Sequence, residues 1–240
     1  MQWTDDAIVL SARPFGENAA IAEVFARSMG RCLGLVHGGR SRRIRPALQA
    51  GNLVKATWRA RLEDSLGGLS VELAAAHATR AMDDPAALAV VSCVAFFARL
   101  LPERDPHPEL FDAALAALEQ ADAPGGRREA YAQFEFKLLQ ELGFGLDLTE
   151  CAATGARENL VYVSPKSGRA VSAAAGAPYA DKLLPLPPHL LTGRWPDAEG
   201  AKASLALTGH FIEKHALAPA GLHLPAPRAL VVSAKDEPRN

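Results

Sequence analysis

The sequence predicts an α+β protein, a small all-β part followed by a helical part. Three observations carry this. Apolar and polar residues alternate in short runs through residues 1–80, they recur at helical spacing from about 83 to 145, and the sign of the charge changes where the pattern does. Residues 1–80 carry 11 basic and 7 acidic groups, net +4; residues 81–150 carry 5 and 13, net −8; residues 151–240 carry 10 and 7, net +3. The expected domains are therefore 1–80 and 81–240. A chain of 240 residues that is 49% hydrophobic and 22% charged can bury a substantial core.

Five strands are expected in the first part. Ala7 to Arg13 is β-prone and ends at Pro14-Phe15-Gly16-Glu17-Asn18, a run with turn chemistry. Next, Ile21, Glu23 and Phe25 share one face and Ala22, Val24 and Ala26 the other. Met29-Gly30-Arg31 turns the chain into Cys32–His37. After an arginine-rich loop, Leu53–Arg61 alternates, with Leu53, Lys55, Thr57, Arg59 and Arg61 outward and Val54, Ala56, Trp58 and Ala60 inward. A turn at Asp64–Gly68 leads to Leu69–Ala75. Five short strands with tight turns close most economically as an OB barrel, because closure removes exposed edges.

The second part reads as helices. Asp83-Asp84-Pro85 is an N-terminal signal, and the run Ala87–Leu101 is apolar nearly all round, as in a buried helix containing Cys93. Pro108–Ala121 shows the stripe Leu110, Phe111, Ala114, Leu115 and Leu118. Pro124-Gly125-Gly126 breaks the chain before a third helix, Arg127–Leu142, striped by Tyr131, Phe134, Leu138 and Leu142. A hairpin is expected within Leu160–Val171, and one more amphipathic helix over 197–215. The tail Lys235–Asn240 is expected to fray.

The basic charge concentrates in Arg31–Arg61. This stretch holds eight cations (Arg31, Arg40, Arg42, Arg43, Arg45, Lys55, Arg59 and Arg61) and no Asp or Glu. A sheet carrying such a loop offers a surface for a polyanion, with a solvated loop between two strands as the alternative, and these eight residues are the candidates to meet that polyanion. Gly38 and Gly39 are expected to make the loop pliable, and Trp58 to lie in the barrel core.

The order VLSARPFGENAAIAEVFARSMGR, GLVHGGRSRRIRPALQAGNLVKATWRAR, LEDSLGGLSVELAAA resembles the N-terminal OB domain of the RecO family of bacterial recombination mediators. FEFKLLQELGFGLDLTEC extends the resemblance into the helical part, where that family often carries a zinc site of four cysteines. Here Cys151 stands at the first ligand position, Thr154 at its partner, and Ser172 and Gly176 near the second pair. One thiol cannot hold a structural zinc, so a zinc-ribbon-like hairpin insertion at about 149–178 without metal is expected. The resemblance implies a non-enzymatic DNA repair protein without cofactor. It would bind single- and double-stranded DNA, anneal strands and help load a recombinase. The implied partners are RecR and the acidic C-terminal tail of the single-strand-binding protein. Arg127 and Arg128 beside Tyr131 and Phe134 are the candidate site for that tail.

Other chemistries are disfavoured. GxxxxGK[ST], GxGxxG and GxSxG do not occur. His210 and His215 are five apart and diverge on a helix. Cys32, Cys93 and Cys151 form no disulfide framework, the N-terminus lacks a signal-like apolar core, and the apolar run Pro85–Ala98 is too short to span a bilayer. A cytoplasmic, nucleoid-associated protein is expected. Two rivals exist. One is an adaptor whose basic barrel face takes an acidic peptide. The other is a small hydrolase using His37 and Cys32, which lacks an orienting acid in sequence.

Overall fold

The computed structural model describes residues 1–62, 66–123, 125–193 and 198–234; part of the expected turn at Asp64–Gly68, Pro124 of the helix break and the tail Lys235–Asn240 lie outside them. Five strands form a closed barrel in the order β1-β2-β3-β5-β4: β1 Gln2–Phe15, β2 Ala19–Ala26, β3 Gly30–Val36, β4 Leu53–Arg59 and β5 Gly67–Ala75. Neighbours are antiparallel except β3 and β5, which pair in parallel at Gly34–Gly67 and Leu35–Gly68.

β1 begins five residues earlier than alternation predicts. Its first five residues, Gln2–Asp6, pair only with β4, in a register that runs from Gln2 with Arg59 to Ile8 with Leu53, and that pairing requires closure. β4 in turn stops at Arg59, because pairing with β1 and β5 ends there.

The barrel interior is filled by small residues, among them Ala7, Ala22, Val24, Ala26, Val54 and Ala56, with Trp58 closing one end. The outer faces of β2 and of the middle of β1 are not solvated. Ile8, Leu10 and Phe25 belong to the core of the helical part, and Phe25 meets Phe111 edge-to-face at 5.6 Å. β2 is therefore buried on both faces. These outward residues join the core of the helical part, while the barrel interior forms a core of its own.

The helical part contains α1 His77–Ala81, α2 Pro85–Ala98, α3 Pro108–Glu119 and α4 Arg127–Leu139. The Asp84 carboxylate caps α2, accepting from the N–H groups of Ala86 and Ala87 at 2.9 and 3.2 Å. The expected third helix ends as α at Leu139, and a π-turn over Gln140–Phe144 carries the chain to Gly143, whose φ is +82°. The hairpin forms from β6 Leu160–Val163 and β7 Ala170–Ser172. A third strand that periodicity did not reveal, β8 Leu184–Pro185, pairs with β6. Two short helices follow, α5 Ala173–Gly176 and α6 His189–Thr192. Then come α7 Ala198–Ile212, a π-turn over Glu213–Leu217, and α8 Arg228–Ser233, which packs on α2 and α4.

Zinc does not fit the insertion. Cys151 is buried, but its neighbours in space are Thr154 and Ser172, and the Ser172 N–H donates to its sulfur at 3.3 Å. Hydrogen bonds from Ser172 and Thr154 pull the thiol down to about 6. The loop keeps its shape through the backbone, with Cys151 N–H donating to Ala156 O at 2.7 Å and Gly155 N–H to Cys151 O at 2.8 Å. Among the described residues no three His, Cys, Asp or Glu side chains are grouped to hold a metal. Nor is any helix among them long and apolar enough to cross a membrane.

Candidate nucleic-acid interface

The loop after β3 is built from hydrogen-bonded turns. It runs through successive turns: Ser41 N–H donates to Gly38 O at 2.8 Å, Arg45 N–H to Ser41 O at 3.0 Å and Ala47 N–H to Ile44 O at 3.0 Å. Ala47 and Leu48 are buried beneath it. Its base is stitched to the irregularity in β1, where Gly51 N–H donates to Val9 O and Val9 N–H to Asn52 O. The Asn52 amide spans Pro46 O and the Ala78 N–H. Gly39 serves close approach, not flexibility: a Cβ there would stand 2.7 Å from the Ala20 Cβ and 3.1 Å from Val36 O.

On this frame Arg40, Arg42, Arg43 and Arg45 are exposed. Arg40 is steered by carbonyls, donating to Gly16 O and Glu17 O at 3.1 and 2.8 Å. The side chains of Arg42, Arg43 and Arg45 have no carboxylate or carbonyl partner among the described residues. Arg40 and Arg45 line a polar recess of about 520 Å³ with Gln49 and Arg13. Sequence reading passed over Arg13 because it lies 27 positions before Arg40. The β1–β2 turn brings it beside the loop, and the only signal was a lone outward cation at the end of a strand.

Arg59 is exposed on the β4 face, and a second depression, about 200 Å³, joins it to His37 and Ile44 at the loop and to Thr57 and Ser70. Arg61 is exposed just beyond β4. Lys55 lies on the same face but is 3.1 Å from Asp6, with Glu72 opposite it on β5, so local acids offset its charge.

Arg31 does not belong to this surface. It faces the helical part, donating to the buried Glu23 at 2.6 Å and to Leu101 O at 2.8 Å, with Glu103 3.7 Å away. Glu23 also receives Arg99 at 2.8 Å and Ser11 at 3.1 Å. This cluster and the bidentate Arg27–Asp112 pair, at 2.7 and 2.8 Å, fasten barrel to helices. Absence of acids in the local sequence was a misleading sign here, because Glu23 comes from the neighbouring strand.

The expected tail site on α4 is also corrected. Arg127 and Arg128 are 5% and 6% exposed, and Tyr131 and Phe134 are fully buried. Arg127 pairs with Asp84 and bonds Ala121 O, tying the start of α4 to the cap of α2. Arg128 bonds the carbonyls of Val231 and Ala234, which end α8. Two turns further on, the fully buried Glu135 takes both arms of Arg228 from α8, at 2.6 and 2.8 Å, and the Thr208 hydroxyl at 2.7 Å. Burial opposes the Arg228 charge, but the hydrogen bond and charge of Glu135 prevail and raise its pKa. These side chains form the interior of a bundle and present no groove.

The rival thiol chemistry loses its nucleophile. Cys32 is buried and donates to Met29 O at 3.5 Å, and burial pushes its thiol up to about 11. Cys93, in the core, is raised to about 11 for the same reason.

A closed five-stranded barrel of this order, with an arginine-bearing loop between its third and fourth strands, defines an OB-fold protein with a fused helical domain. Residues 1–77 match the family model described as "Recombination protein O N terminal" and residues 82–221 that described as "Recombination protein O C terminal". The DNA repair protein RecO of Rhizobium johnstonii is 51% identical over 230 residues, spanning 95% of this chain and 90% of that protein. The DNA repair protein RecO of Methylorubrum extorquens is 48% identical over 240 residues, spanning 97% and 98%. The chain belongs to the RecO family of DNA repair proteins.

Proposed function

We propose that this protein is a recombination mediator that binds single- and double-stranded DNA on the barrel surface formed by Arg40, Arg42, Arg43, Arg45, Arg59 and Arg61, with Arg13 and Lys55 at its margins. In this reading it anneals complementary strands and works with RecR to load recombinase onto strands coated by the single-strand-binding protein. The acidic tail of that coating protein is a further partner, and the work is done in the cytoplasm at the nucleoid. The observation that carries the reading is the state of Arg42, Arg43 and Arg45. Three cations within four residues of a hydrogen-bonded loop repel one another, with no acid paired to them among the described residues. An external polyanion relieves that repulsion and releases counterions, which also suits annealing without an energy source. Family membership supports the same reading.

Fluorescence anisotropy with a labelled single strand and a labelled duplex across a salt series tests it, together with the rate at which complementary strands anneal. We expect log K to fall linearly with log salt for both ligands, at a slope of about 0.7 to 0.9 per phosphate neutralised. Failure to bind either ligand at low salt would overturn the proposal. An acidic peptide that bound instead would make the loop an adaptor surface.

A further inference from the structure

We propose that the recess between the end of the barrel and the helical part, lined by Trp3, Trp58, Met29, Cys32 and Arg104, takes an unstacked nucleobase from a single strand. The inference rests on the DNA-binding reading above. It adds a second, non-electrostatic contact that the basic loop does not supply.

Trp3 and Trp58 are directly paired residues of β1 and β4, and their rings stack at 6.2 Å with planes 10° apart. The Arg104 guanidinium stands 5.5 Å from the Trp58 ring centroid. Arg104 comes from the α2–α3 connection. It holds a left-handed backbone, φ +60°, and its N–H is fixed to Arg31 O at 2.8 Å. The recess so formed has a volume of about 410 Å³, within the range of small-ligand pockets.

The chemistry of the lining selects a flat apolar ring. The one polar handle of Trp58, its indole N–H, is already spent on Leu33 O at 3.1 Å. What remains is the half-buried Trp3 ring and the Met29 thioether, over a nearly buried floor of Trp58 and Cys32, with a guanidinium at the rim. Such a platform favours stacking, which tolerates any base.

Position and charge point the same way. Gln2 lines the recess and pairs with Arg59; the two rings point inward and Arg59 outward, so a strand leaving the recess crosses the barrel rim to reach the proposed phosphate path. The acids nearby are Asp5, Glu103 and Asp105. Asp5 accepts the Ser28 N–H at 2.6 Å, Glu103 faces Arg31 at 3.7 Å and Asp105 faces His107 at 3.4 Å. An acidic peptide would bring further carboxylates among them. A base brings no charge and leaves its phosphate outside, near Arg59 and Arg61. A duplex keeps its bases stacked inside and cannot use the recess.

The chain has three tryptophans, so Trp195→Phe leaves Trp3 and Trp58 as the only indoles. Full-length Trp195→Phe protein is titrated with oligothymidylate, with an abasic strand of equal length, and with a duplex. Oligothymidylate should quench the fluorescence; the other two should not. Adding Trp3→Ala should weaken oligothymidylate binding at least about 5-fold. Duplex affinity and salt slope should stay as they were, and Trp3→Phe should restore most of the loss. Equal affinity of the intact protein for oligothymidylate and the abasic strand, without quenching, would overturn the inference whatever Trp3→Ala does to folding. Normal duplex binding in that same experiment would leave the wider DNA-binding reading standing. Failure to bind any of the three ligands would overturn both.

Discussion

Arginines cluster twice in this protein, and their fates are opposite. On the barrel, Arg42, Arg43 and Arg45 stand in solvent on a hydrogen-bonded loop, with no acid paired to them among the described residues. In the helical part, Arg127, Arg128 and Arg228 lie inside, each engaged by a carboxylate or by backbone carbonyls. The residue type is the same, and the difference is in what the fold places around it. A buried guanidinium costs solvation and must be repaid by a fixed partner, so it becomes part of the scaffold. An exposed one keeps its water and remains available to a ligand.

The comparison can be broken most sharply at Glu135. Glu135→Ala would leave Arg228 buried without its counter-charge, at an expected loss of about 3–5 kcal/mol in urea unfolding. DNA affinity of the protein that remains folded should be unchanged. A loss below about 1 kcal/mol would mean that solvent reaches Arg228 and that α8 is loosely held.

Arg128→Glu should come next. It sets a carboxylate against the carbonyls that end α8, and a loss of about 1–3 kcal/mol is expected, with earlier proteolysis of α8. Wild-type stability in this variant would restore Arg128 to the surface and reopen the tail site.

The loop should behave oppositely. Arg42→Ala, Arg43→Ala and Arg45→Ala together should leave unfolding free energy within about 0.5 kcal/mol of wild type. The salt slope of DNA binding should fall by about 0.7 to 0.9 per contact removed. An unchanged slope would move the DNA path elsewhere on the barrel.

Lys55→Ala should give the smallest effect. Its exposed pairing with Asp6 contributes about 0–1 kcal/mol, and the slope should drop by less than one full contact. A full-contact drop would show that Lys55 leaves Asp6 when DNA binds.

The sequence by itself determined the elements whose patterns are local. Alternation in β4 placed Trp58 inward and Arg59 outward, and both stand so. Asp84 before Pro85 announced a helix start, and its carboxylate caps α2. A lone Cys151 without its partner cysteines already spoke against zinc. What the tertiary structure decided was every question of neighbours from afar. Arg31 meets Glu23 only because β2 and β3 pair, and Arg13 joins the loop only because β1 turns back on β2. The first half of β1 becomes strand only when β4 closes the barrel. Arg127 and Arg128 looked like a basic pair at a helix start, yet α2 and α8, both distant in sequence, enclose them. Periodicity reports which face of an element is apolar. Only packing reports which element covers that face, and for a charged side chain that covering decides whether it binds a ligand or holds the fold.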